Sequence, residues 1–161
     1  SVDYLALLEG LEVLHLNHNA ITDLSPLTNL KKLRELKVSY NPLGGITPLS
    51  KLSHLEKLYL DGTKLTNLEP LSLLTSLHEL GLENNHIIDL APLAQLSRLK
   101  LLHLGGNPVV SLGPLADLKG LENLTQLKAL YLYFNPALTK AQIDQLQKAL
   151  PKCDITSTPK K

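Results

Sequence analysis

Methionine and tryptophan are absent from this chain, and phenylalanine and cysteine occur once each. A core without large or adaptable side chains has to be filled by something more uniform. A single cysteine has no partner for an internal disulfide, which removes one mark of secreted domains without proving a cytosolic home. Charge of one sign is also lacking: 16 basic and 15 acidic side chains are interspersed, for a formal net charge of +1. No field exists to gather nucleic acid or an anionic membrane, so neither is an expected partner. No apolar run approaches the length of a membrane span, and the first residues carry no signal-peptide pattern.

What the chain has instead is leucine at fixed spacing. Apolar residues fall at Leu77, Leu80, Leu82, Ile87, Leu90, Leu93 and Leu96, with Asn85 after the third and Pro92 just before Leu93. A shift of 22 residues matches the stretch again: Leu55, Leu58, Leu60, Thr63, Leu65, Leu68, Pro70, Leu71 and Leu74 upstream, Leu99, Leu102, Leu104, Asn107, Val109, Leu112, Pro114, Leu115 and Leu118 downstream. At 161 residues and 43% apolar content the chain is one domain, in which stacked neighbours share a core. A short fixed period of this kind means a solenoid.

The pattern Leu-x-x-Leu-x-Leu-x-x-Asn, followed by Leu-x-Pro-Leu-x-x-Leu, resembles the leucine-rich repeat family. Its 22-residue length is most similar to the internalin-type bacterial repeats, with the phosphatase-regulator repeats of eukaryotes as the close alternative. The resemblance implies an α/β solenoid: a curved, right-handed superhelix with a parallel concave sheet and short 3₁₀ or α turns on the convex side.

Taken in order, Ser1–Gly10 reads as the back half of a repeat, since Val2, Leu5 and Leu8 lie 22 residues before Leu24, Leu27 and Leu30. No polar-faced cap precedes it, so the chain is expected to be a fragment of a longer protein, and the missing signal pattern then says little about localisation. Regular repeats open at Leu11, Leu33, Leu55, Leu77 and Leu99 and fill residues 11–126. Asn19, Asn41, Asn85 and Asn107 follow the strand leucines, where a side-chain amide can satisfy backbone groups of neighbouring turns as a ladder. Thr63 interrupts that ladder and is expected to be its least satisfied rung. Pro26, Pro48, Pro70, Pro92 and Pro114 share one slot suited to the first residue of a short helical turn, with Asp23, Asn67, Asp89 and Ser111 three residues earlier serving the same turns through local hydrogen bonds.

The rhythm slips once. Leu127 opens the next strand 28 residues after Leu99, so the stretch from Leu115 to Gln126 carries six extra residues, read as a longer convex helix or an added 3₁₀ turn tolerated on a return loop, with a partner-binding protrusion as the other reading. The last repeat occupies residues 127–155. Thr139 with Gln142 reads as a capping box, Ile143, Leu146 and Leu150 form one apolar stripe, and Pro151 stops the longest helix of the chain. Leu150-x-x-Cys153-x-Ile155 then repeats the strand formula, which makes Cys153 a buried core residue in an edge strand. Residues 156–161 read as a solvated tail.

Side chains between the strand leucines face the concave side in columns. One holds His15, Lys37, Tyr59, Gly81, His103 and Tyr131; the next Asn17, Ser39, Asp61, Glu83, Gly105 and Tyr133; the third His18, Tyr40, Gly62, Asn84, Gly106 and Phe134. Two aromatic groups are expected, a small one of Tyr40 and Tyr59 and a dense one of Tyr131, Tyr133 and Phe134, with Gly81, Gly105 and Gly106 as a bare floor between them. Tyrosines on a rigid sheet cost little entropy to bury against a partner. The expected protein-binding face therefore comprises Tyr131, Tyr133, Phe134, His103, Tyr59, Tyr40, Lys37, Asp61 and Glu83. Arg34, Glu35, Lys37, Glu56, Lys57, Asp61, Glu79 and Glu83 alternate in sign and should largely pair among themselves as a solvated ladder.

Chemistry of other kinds has little to stand on. The six histidines do not converge: His15 and His103 share a column about 19 Å apart at roughly 4.8 Å per strand. No Gly-x-Ser-x-Gly elbow or phosphate-binding glycine loop is present, and carboxylates on an open sheet stay solvated, so no metal, cofactor or catalytic residue is expected. The expected function is recognition of another protein on the concave face, by a monomer that is not an enzyme. Similarity to internalin-type repeats implies a bacterial protein, secreted or on the cell surface, with a cytoplasmic home left open. Two other readings stand beside it: an intracellular regulatory subunit that holds an enzyme such as a phosphatase, and a non-binding spacer in a larger protein.

Overall fold

The computed structural model describes residues 3–113 and 124–158. Seven three-residue strands run along it: β1 (Val13–His15), β2 (Glu35–Lys37), β3 (Lys57–Tyr59), β4 (Glu79–Gly81), β5 (Leu101–His103), β6 (Ala129–Tyr131) and β7 (Asp154–Thr156). All pair in parallel and in chain order, as one open sheet. The register is the 22-residue period made physical. Leu14, Leu36, Leu58, Leu80, Leu102, Leu130 and Ile155 fall opposite one another, while His15, Lys37, Tyr59, Gly81, His103, Tyr131 and Thr156 line the next position. β7 runs one residue past the expected end at Ile155, because Thr156 pairs with Tyr131 and its carbonyl accepts from the Leu132 N–H.

Behind the sheet the chain returns through short 3₁₀ turns, including Ser25–Leu27, Thr47–Lys51, Glu69–Leu71 and Ala91–Gln95. Each has proline at its start, where φ is already set and no N–H is wanted. Asp23, Asn67, Asp89 and Ser111 accept the N–H two residues on, at 2.8–3.1 Å. Parallel strands backed by turns this short make a curved solenoid. Its core is a continuous column of leucine with no exposure, Leu24, Leu27, Leu30, Leu58, Leu80 and Leu102 among them. Each such side chain contributes about 2 kcal/mol by leaving water.

Asn19, expected as the first rung, is exposed and donates within its own turn to Leu16 O and Asn17 O, whereas Asn41, Asn85 and Asn107, joined by Asn135 of the last repeat, are buried and form the ladder. Each amide donates to the carbonyl three residues back and to the leucine carbonyl of the preceding repeat, so that Leu82 O receives both Asn85 and Asn107, and Leu104 O both Asn107 and Asn135. Each Oδ1 accepts a backbone N–H of the preceding repeat: Ile21, Leu65, Ile87 and Val109. Thr63 is not the weak rung expected of it. Its hydroxyl donates to Leu60 O, its N–H goes to Asn85 Oδ1, and the Leu43 N–H it leaves unserved turns to Asn41 O. Doubly served carbonyls let one rung be shortened without leaving an orphan, and among the described residues no buried side-chain nitrogen or oxygen lacks a partner.

The stretch with six extra residues lies outside the described residues except for a 3₁₀ turn at Leu124–Gln126. Helix α1 (Lys140–Ala149) follows, opened by the full capping box: Thr139 Oγ1 accepts from Gln142 N and Gln142 Oε1 from Thr139 N. Cys153 is buried as a core residue, and burial, with Asp154 beside it, pushes its thiol up to about 11, which leaves it protonated and unreactive at neutral pH.

Candidate protein-binding face

The concave columns divide into two halves with different local rules. In the N-terminal half the charges pair among themselves: across neighbouring repeats Arg34 with Glu56 and Glu12, Lys57 with Glu79, and His15 with Glu35 at 2.7 Å, and within β2 Lys37 with Glu35. The bond from His15, opposed by burial and helped by Lys37, holds the Glu35 carboxyl below the usual range. These exposed pairs are worth a few tenths of a kcal/mol each, about 0.2–1 at most, and they quiet the surface more than they stabilise it.

Within the expected C-terminal group Tyr133 and Phe134 meet, while the other rings stack on or rest against histidine and lysine. Tyr40 stacks on His18, ring centres 4.5 Å apart, while Tyr59 lies 5.1 Å from Lys37 Nζ and donates to Glu79. At the other end Tyr131 stacks on His103 at 4.7 Å, and Tyr133 meets the edge of Phe134 at 5.6 Å. Tyr133 leans back toward the N-terminus across Gly105 and donates to Glu83 Oε1, which also contacts His103 Nδ1 at 3.1 Å. Glu83 thus ties two of the C-terminal rings together.

The glycines are not a bare floor. A Cβ on Gly105 would meet the Tyr133 ring at 2.4 Å, one on Gly81 would meet the Tyr59 ring at 2.8 Å and Asp61 at 3.0 Å, and one on Gly106 would meet the Asn84 amide at 2.4 Å. Absence of a side chain here makes room for a neighbour's, and Gly81 and Gly105 are buried as a result.

Asn17, Ser39, Asp61 and Glu83 form a second ladder on this face. Asn17 Oδ1 accepts from Ser39 N, Ser39 Oγ accepts from Asp61 N and donates to Asp61 Oδ2, and Asp61 Oδ1 accepts from Glu83 N, all at 2.8–3.0 Å. Burial first, then Glu83 and Asp61, pushes the Tyr133 hydroxyl up to about 12; burial and Glu79 push Tyr59 up as well.

The third column holds a feature missed in the sequence. His18, Tyr40, Gly62, Asn84, Gly106 and Phe134 all adopt left-handed backbone, with φ of 55° to 69°. Glycine and asparagine tolerate that conformation, whereas a bulky residue pays about 1–2 kcal/mol for it. Phe134, 71% exposed, and Tyr40, 46% exposed, hold it with large rings turned to solvent. The alternation Gly62, Asn84, Gly106 was the available signal.

The model for leucine-rich repeats in two copies matches residues 9–51, 32–73 and 75–117, which together cover more than half of the chain. The chain belongs to the leucine-rich repeat family. An internalin of Listeria monocytogenes is 30% identical to this leucine-rich repeat chain, with a TM-score of 0.85, over 98% of this chain and 46% of that one. Internalin C2 of the same organism is 34% identical at a TM-score of 0.80, over 95% and 66%. A leucine-rich repeat protein of Leptospira interrogans is 29% identical at 0.82, over 94% and 38%. The chain spans less than two thirds of each. No curated protein matches it. The leucine-rich repeat fold is in general a module for protein–protein interaction.

Proposed function

We propose that this leucine-rich repeat segment recognises another protein on its concave face, as a monomer and without catalysis of its own. Tyr131, Tyr133 and Phe134 anchor the partner, His103 and Glu83 hold those rings in place, and Tyr40, Tyr59, Lys37 and Asp61 extend the contact toward the N-terminal half. The observation that carries this is Phe134: an exposed ring on left-handed backbone, in a slot that three of the preceding repeats fill with glycine or asparagine. Backbone cost of this kind persists where a surface is used. The neighbouring tyrosines are already ordered, Tyr131 by stacking and Tyr133 by its bond to Glu83, so a partner has little rotamer freedom left to remove.

Similarity to the internalins of Listeria supports a bacterial partner-binding protein that is secreted or held at the cell surface. The test is capture of partners from surface extract by the wild-type chain and by a Tyr131→Ala/Phe134→Ala variant whose thermal unfolding is unchanged. A captured protein should be lost by the variant, with an affinity drop of at least about tenfold for two truncated aromatic anchors. Equal retention would place binding elsewhere on the molecule.

A further inference from the structure

The N-terminal half of the concave face consumes its own basic residues. Arg34, Lys37 and Lys57 each sit within ion-pair distance of a glutamate of the same or an adjacent strand. Asp61 and Glu83 are left out of that arrangement. Among the described residues neither has a lysine or arginine within ion-pair distance, and the one basic atom near them is His103 Nδ1. Both side chains are half-buried, and they are linked through the bond from Glu83 N to Asp61 Oδ1.

Their bonding capacity is not exhausted. A carboxylate offers about four acceptor positions. Asp61 uses one on each oxygen, for Glu83 N and Ser39 Oγ, and Glu83 uses Oε1 for Tyr133 and His103 while its Oε2 accepts from no described residue. The phenol rings stand on either side. Tyr59 lies over Gly81 beside Asp61 with its hydroxyl turned to Glu79, and Tyr133 leans back over Gly105 to Glu83. Lys37, 5.1 Å from the Tyr59 ring centre, already shows a cation resting against a phenol on this face.

We propose that the concave surface at Asp61 and Glu83, flanked by Tyr59 and Tyr133, receives an arginine side chain of the partner protein. Negative charge that meets no lysine or arginine among the described residues, flanked by phenol rings, is complementary to a cation that is also flat. A guanidinium can stack on a phenol while its fork of N–H groups reaches two carboxylates, whereas an ammonium can satisfy the charge but not the plane. The inference rests on the concave-face reading and names the chemistry that the face selects.

The test titrates the ¹⁵N-labelled chain with Nα-acetyl-arginine amide and, in parallel, with the citrulline counterpart, which keeps the shape and loses the charge. Saturable amide shifts should centre on Tyr59, Gly81, Glu83, Gly105 and Tyr133, with the citrulline compound weaker by about tenfold or more. Asp61→Asn/Glu83→Gln should abolish the difference between the two compounds; if the double variant unfolds, Glu83→Gln alone serves. Absent shifts, equal titration by citrulline, or an unaltered difference in the variant would overturn the proposal. Should that happen while capture still depends on Tyr131 and Phe134, the concave-face reading survives. Should arginine titrate as expected while capture ignores those rings, Tyr131 and Phe134 fail as anchors and the arginine site stands.

Discussion

Two ladders cross the repeats side by side, and they differ in what they permit. The inner one, Asn41 to Asn135, is buried and nearly uniform, and it keeps to one geometry, each amide serving its own turn and the turn before it. The outer one, Asn17, Ser39, Asp61 and Glu83, changes residue at every step while still bonding the next backbone N–H wherever its side chain is short enough. It ends where Glu83 turns from backbone to Tyr133 and His103. Burial explains the contrast. An inner rung that failed would strand a backbone group with no water to replace it, whereas the outer rungs Asn17, Asp61 and Glu83 are only half-buried and meet solvent when they fail; Ser39 is the buried exception. Variation is therefore tolerated on the face where a partner can read it.

The difference should appear first in stability. Asn107→Ala strands the buried Ile87 N–H and halves the donors to Leu82 O and Leu104 O, so it should cost about 2–3 kcal/mol in chemical denaturation. Ser39→Ala on the outer ladder removes a hydroxyl that both accepts from and donates to Asp61. It should cost about 1–2 kcal/mol: Ser39 is itself buried, but water can reach the half-buried Asp61 carboxylate that it leaves. Equal losses for the two variants would erase the distinction between a structural ladder and a permissive one.

Which parts of this were legible in the sequence follows from the same distinction. Positions under a repeating constraint, such as Leu80 in the core, Pro92 at its turn or Thr139 with Gln142 at the helix start, carry their reason in their spacing. The columns were legible for that reason, and the register places His103 beside Gly81 and Tyr131 as the spacing required. The direction in which a side chain leans was not. Tyr59 leans forward over Gly81 and Tyr133 backward over Gly105, and nothing in a period of 22 distinguishes the two. Reading Gly81 and Gly105 as open floor failed because a missing Cβ marks space without saying whose ring fills it. Thr63 misled for a related reason: the amides on either side share its carbonyls, and that redundancy belongs to the stack, not to the turn.

The last and smallest effect concerns the point where the outer ladder leaves the backbone. Tyr133 has its hydroxyl pushed up to about 12 from a usual 10, by burial first and then by its bond to the Glu83 carboxylate and the charge of Asp61. A raised value in the folded state means that folding favours the neutral phenol. This contribution is fully present below pH 10, where the unfolded chain is also protonated, and it is lost as pH rises from 10 through about 12. Glu83→Gln removes the charge and leaves the ring where it is. Tyr133 should then ionise earlier in a tyrosinate absorbance titration, part of the way back toward 10, because burial still acts. The alkaline loss of stability should become correspondingly shallower. A titration identical to wild type would mean that Glu83 does not hold Tyr133, and the outer ladder would end at Asp61, with the C-terminal rings ordered by their own packing.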